Sequence, residues 1–136
     1  MRHVSDIVPP WKRLWILSPA EKEVLLRERG GRCDEKLFER AKALEPKWCD
    51  AVMTLKGLPN VLDIRCVGLT GGIDLAPIPG SVGLRGYRLL EHSFHEEGVM
   101  LRLSGDTIEL MPPLIISEAQ IGEIMDKVAA SIKAVA

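Results

Sequence analysis

The 136-residue sequence predicts an α+β fold, a small mainly antiparallel sheet covered by helices, and three observations carry that prediction. Apolar residues recur with a helical period of about 3.6 from Leu37 to Leu55, switch to a period of two from Val61, and regain the helical period in two later stretches. The period-two segments come in pairs separated by short glycine-bearing turns, as antiparallel hairpins do. Helices stand as blocks beside these pairs. A doubly wound parallel sheet would instead alternate single strands with helices.

Residues 1–30 read as an irregular arm followed by a short helix, and residues 31–136 as the domain proper. The arm contains Pro9-Pro10, shows no sustained period, and carries Trp11, Leu14, Trp15 and Ile16. At Ser18 the string "SPAE" supplies an N-cap serine, a proline at the first helical position and a glutamate three residues after the cap. A helix from about 19 to 29 should follow, stopped by Gly30-Gly31.

A second helix begins near Asp34 and places Leu37, Phe38, Ala41, Leu44, Trp48, Val52 and Leu55 on one stripe. Pro46 falls inside it and should cost about 3 kcal/mol or bend it near residues 43–46, because proline removes a backbone donor. From Val61, "VLDIRCVGL" and "GGIDLAPI" alternate as a strand pair, with Gly68 to Gly72 read as the turn. A third helix carries Leu84, Tyr87, Leu90 and Phe94 on its apolar face and closes at Gly98. The segments "VMLRLS" and "DTIELMP" form the second strand pair around Ser104-Gly105-Asp106. After Pro112-Pro113, "SEAQ" opens a last helix with a capping box, its buried stripe being Ile121, Ile124, Met125, Val128, Ile132 and Val135.

Composition narrows the function classes. Hydrophobic residues make up 46% and charged residues 27%, the mixture of one soluble domain. Eighteen Lys and Arg against nineteen Asp and Glu imply no polycationic face, so nucleic acid is not an expected partner. Aromatic content of 4% leaves few platforms for stacking bases. The sequence has no apolar run of the roughly 20 residues that span a bilayer and no signal-peptide core, so no membrane is expected and the reading is cytoplasmic. Cys33, Cys49 and Cys66 are odd in number and show no CxxC spacing, which suggests reduced, buried thiols.

Several strings invite chemistry. His92 and His95, followed by Glu96 and Glu97, could face one side of a helix, but they lack a third metal ligand at characteristic spacing. The glycines of "GLTGG" precede a strand, whereas a phosphate loop must open onto a helix N-terminus. There is no GxSxG, and Asp63 and Asp74 occupy alternating strand positions that default to an exposed face. Arg102 is different, a permanent charge between Leu101 and Leu103. Its planar fork suits bidentate binding of a carboxylate, and a strand is a rigid place from which to aim it. By residues alone, an edge-facing or salt-bridged arginine is the competing reading.

Taken in order, "LFERAKALEPKW", "LKGLPNVLDIRCVGLTGGIDLAPIPG", a helix, "GVMLRLSGDTIELMPPLIIS" and a final helix resemble the C-terminal small domain of class III aminotransferases, in particular the ω-amino acid (β-alanine):pyruvate transaminases. The likeness runs from Leu37 to Ala136. It implies the small-domain fold of fold-type I pyridoxal-phosphate transferases. It also implies a role for Arg102, which would pair with the substrate's carboxylate, while Gly105, Asp106 and Thr107 form the turn that supports its strand. Pyridoxal phosphate is the family's cofactor, and its substrates are small amino and keto acids.

Members are much longer than this chain. Their large domain carries the Schiff-base lysine, the aspartate that pairs with the pyridine nitrogen, and the phosphate-holding loop, and no lysine here lies in a matching segment. This chain alone is therefore expected to bind no cofactor and to be inactive. Its expected partner is a large aminotransferase domain or a second copy. A gene remnant or split gene, a fragment of a longer enzyme and a domain reused for binding all fit. The alternative function is a non-catalytic module that binds a small carboxylate or a protein partner.

Overall fold

The computed structural model describes residues 36–136. The arm, the capping box at Ser18, the helix expected over 19–29 and Cys33 lie outside the described residues. Helix α1 spans Leu37–Met53, strands β1 and β2 span Val61–Val67 and Thr70–Leu75, and helix α2 spans Leu84–His95. Strands β3 (Arg102–Ser104) and β4 (Thr107–Leu110) then lead to helix α3 (Glu118–Ala134). The four strands form one sheet in the order β1-β2-β4-β3, with every neighbouring pair antiparallel. The α+β expectation is met.

Strand alternation divides the sheet into an apolar and a polar face. Gly71, Ile73 and Leu75 of β2 are buried, as are Ile108 and Leu110 of β4. These side chains join Trp48 and Val52 of α1, Leu89 of α2, and Ile121, Met125, Val128 and Ile132 of α3 in one core. Each such aliphatic side chain contributes about 1.5–3 kcal/mol when fully removed from water. The close fit between α1 and the sheet explains Gly71, where a Cβ would meet the Val52 methyls at 3.4 Å.

Helix α3 is opened by the predicted capping box. Gln120 N–H donates to Ser117 Oγ at 3.2 Å, and Ser117 N–H donates to Gln120 Oε1 at 2.9 Å. Helix α1 runs through Pro46 as one continuous helix, so the proline does not end it. Pro46 and Lys42, whose carbonyl loses its usual donor, are both exposed, so water can take the missing bond.

Four expectations need correction. Phe38 is 68% exposed, because the buried line of α1 follows Leu37, Leu44, Trp48 and Val52. In α2 the buried positions are Gly86, Leu89 and Ser93, while Tyr87 and Phe94 face outward. Small residues let other parts of the fold approach that helix, which an apolar count cannot register. The first hairpin turn is only Gly68-Leu69, with Val67 opposite Thr70, so Gly71 and Gly72 belong to the strand. Finally, Cys49 of α1 and Cys66 of β1 form a disulfide where reduced thiols were expected. Their Cα atoms are 5.6 Å apart, a spacing at which bridged cysteines ordinarily sit.

Candidate functional site

The second hairpin has a two-residue turn, Gly105-Asp106, with Gly105 at φ 62°. Pairing therefore starts at Ser104 opposite Thr107 and brings Arg102 opposite Glu109 on the polar face of the sheet. Leu101, on the other side of the chain, is buried. A charge that looks misplaced in the sequence thus points out of the apolar layer.

Arg102 Nε lies 2.8 Å from Glu109 Oε2, and the two side chains are 72% and 30% exposed. Such a pair in water is worth about 0–1 kcal/mol. Little energy holds the guanidinium to Glu109, and most of it faces solvent. The pair borders a cavity of about 260 Å³ that is also walled by Met100, Met111, Pro112 and Trp48. The buried indole N–H of Trp48 has no hydrogen-bond partner among the described residues.

Asp106 fastens this hairpin to α2. Its Oδ2 accepts from Gly83 N–H at 2.6 Å and its Oδ1 from Gly86 N–H at 2.9 Å. Those donors lie at the start of α2, whose own N-cap residue, Gly83, makes no side-chain cap bond. A carboxylate from another element therefore caps the helix and meets the positive end of its dipole. Contact is so close that a Cβ on Gly86 would fall 2.2 Å from the Gly105 carbonyl oxygen. Thr107 Oγ1 donates to Asp74 Oδ1 at 2.8 Å, and Arg65 Nη2 donates to the same oxygen at 2.8 Å. Gly105, Asp106 and Thr107 are thus each used in holding the hairpin, and Arg102 stands three residues before its turn.

Other candidates do not join this group. His92 Nδ1 is 3.3 Å from Ser131 Oγ, linking α2 to α3. Among the described residues, no three His, Cys, Asp or Glu side chains are grouped so as to hold a metal. Arg40, which the sequence reading did not single out, donates to the carbonyls of Leu114 and Ile116 at 2.6 Å each and fixes the segment between β4 and α3.

The family model described as Aminotransferase class-III matches residues 32–132. The chain belongs to the class III aminotransferases. It is 38% identical over 95 residues to an omega-aminotransferase of Caulobacter vibrioides, covering 70% of this chain and 21% of that protein. A beta-alanine–pyruvate aminotransferase of Pseudomonas aeruginosa is 26% identical over 102 residues, covering 75% of this chain and 22% of its own length. The chain therefore spans about a fifth of the length of these curated relatives.

Among solved structures, an adenosylmethionine-8-amino-7-oxononanoate aminotransferase from Methanocaldococcus jannaschii matches with a TM-score of 0.68 at 30% identity. The match covers 76% of this chain and 25% of that one. The PMP-bound form of an aminotransferase from Vibrio fluvialis has the same fold, with a TM-score of 0.67 at 24% identity, over 74% of this chain and 24% of that one. The family is pyridoxal-phosphate dependent, and the fold is that of its α+β small domain.

The described residues themselves do not fit that cofactor. A Schiff base needs a lysine held beside the ring and out of water. Lys36, Lys42, Lys47, Lys56 and Lys133 are exposed, and Lys127 pairs with Glu123 at 3.1 Å. No lysine lines the cavity beside Arg102. What this region can do chemically is hold a carboxylate.

Proposed function

We propose that this chain is the substrate-carboxylate-holding small domain of an ω-amino acid:pyruvate aminotransferase, and that residues 1–136 alone do not transfer amino groups. Arg102 is the residue that grips the substrate's carboxylate. Gly105, Asp106 and Thr107 hold its hairpin against α2 and Asp74. One observation carries this reading: Arg102 lines a cavity and its guanidinium already holds a carboxylate, that of Glu109 at 2.8 Å. A substrate carboxylate would exchange one weak surface pair for a bidentate grip on the same fork.

The partner is the cofactor-binding large domain of such an enzyme. Beside Arg102 the surface is apolar and open, with Met100 82% and Met111 53% exposed. Large apolar side chains clustered around a polar group are typical of surfaces that pack against another domain.

The test is a chimera of the Caulobacter vibrioides relative in which residues 37–136 replace its matching segment. Arg102→Ala should lower kcat/KM for β-alanine about 100-fold, and for an amine without a carboxylate by less than about threefold. Equal losses for both amines would remove Arg102 from substrate recognition. Separately, the 136-residue chain mixed with pyridoxal phosphate, β-alanine and pyruvate should form no alanine, and measurable turnover there would refute the second half of the proposal.

A further inference from the structure

We propose that Cys49 and Cys66 are a reversible thiol-oxidation site, which reacts with low-molecular-weight disulfides such as oxidised glutathione and clamps α1 to the first hairpin. The two residues come from different elements, are separated by 17 positions in the sequence, and are joined in the structure. Both are only half-buried, so a small disulfide or dithiol can approach them.

A second link lies beside the bridge. Glu45, one helical turn before Cys49, accepts the Gly68 N–H at 2.9 Å, and Gly68 is the first residue of the β1–β2 turn. Between α1 and this turn is a cavity of about 360 Å³, walled by Ala41, Glu45, Gly68, Leu69 and Met111. Met111 also walls the cavity beside Arg102. The oxidised pair thus ties together the helix and the hairpin that both contribute to one cavity, and Met111 belongs to the lining of both cavities. With the pair reduced, the covalent tie is gone and α1 is held to that turn by weaker polar contacts, chiefly the hydrogen bond from Gly68 to Glu45.

The chemistry balances without a further reactant. One cysteine thiolate attacks a sulfur of oxidised glutathione, giving a mixed disulfide and one glutathione thiolate. The second cysteine then attacks the protein sulfur of that mixed disulfide and releases the other glutathione. Two protein thiols are oxidised, one glutathione disulfide is reduced, and both protons end on the released thiols. The site is independent of the aminotransferase reading, since it uses neither Arg102 nor a cofactor.

The test uses the full chain and a Cys33→Ser variant, equilibrated over a series of oxidised-to-reduced glutathione ratios, alkylated and weighed intact. In the full chain, the three alkylatable thiols should fall to one, with two lost together. Trypsin should then yield peptide 48–56 joined to peptide 66–85, in the variant as in the full chain. Closing a loop of this length should raise Tm by about 10 °C. Dithiothreitol without denaturant should return Tm to the lower value, and Cys66→Ser should abolish the difference. Persistence of both thiols at the most oxidising ratio, a cross-link that includes Cys33, or a bridge that resists dithiothreitol in the folded chain would each overturn the proposal. The peptide map in Cys33→Ser gives this answer even if Cys66→Ser does not fold.

Discussion

Asp106 takes two backbone N–H bonds on one carboxylate, so replacing it separates charge and acceptor number from size. Asn keeps the volume but turns an NH2 group toward one of the two donors. Asp106→Asn should therefore destabilise the chain by about 2 kcal/mol, from one lost charged bond and one donor left facing another. Gly86→Ala tests the same contact from the other side. Alanine is normally favoured over glycine in a helix, by up to about 1 kcal/mol in its interior and by less in the first turn where Gly86 sits, but a Cβ 2.2 Å from a backbone carbonyl must push the hairpin away. The clash outweighs the propensity, and urea denaturation should place both variants below wild type; a stabilised Gly86→Ala would mean the hairpin is not seated there.

Tyr87 offers a second reading at this scale, since it is the chain's one tyrosine. Hydrogen bonding to the Glu91 carboxylate one helical turn later, and then that group's negative charge, raise the Tyr87 hydroxyl above its ordinary value of 10.0. Both effects oppose the tyrosinate. Absorbance at 295 nm should therefore give a midpoint above that of a free tyrosine, and Glu91→Gln should lower it. An unchanged midpoint in the variant would show that Glu91 does not reach the ring in solution.

Among the elements, α3 is the most completely readable. Its capping box lies within four residues, and both of its bonds form. Ser117→Ala should cost about 1 kcal/mol, seen as a fall in Tm of about 5 °C. No comparable signal marks α2. Its cap comes from Asp106, some twenty residues away in the chain, and its buried face depends on Gly86 and Ser93 rather than on Tyr87 and Phe94. A local pattern cannot contain a partner that only the fold brings near. The Arg102–Glu109 pair is intermediate. Both charges are visible between apolar neighbours, yet pairing them requires knowing that the turn has two residues, because a one-residue slip would turn one of them to the other face. The disulfide was missed for a similar reason: cysteine spacing says nothing about a helix lying against a strand.

At the largest scale, what the sequence makes legible is the layer arrangement and the family, and what the structure adds is which apolar side chains are exposed among the described residues. Met100 and Met111 flank Arg102 and are mostly exposed, and Ile115, a few residues beyond Met111, is 64% exposed. Apolar side chains grouped in this way favour contact with another surface at about 25 cal/mol per Å² covered, against the entropy lost on association. If a large domain is the intended partner, the 136-residue chain without one should use the same face less specifically, forming dimers as concentration rises. Sedimentation velocity over a hundredfold range of concentration should show the weight-average coefficient climbing. Met100→Lys combined with Met111→Lys should flatten the curve, because two buried ammonium groups would have to lose their water for the contact to form. A wild-type chain that stays monomeric across the range would mean that the apolar face is too small or too interrupted by Arg102 and Glu109 to associate by itself. In that case any partner must supply charge complementarity as well as apolar area.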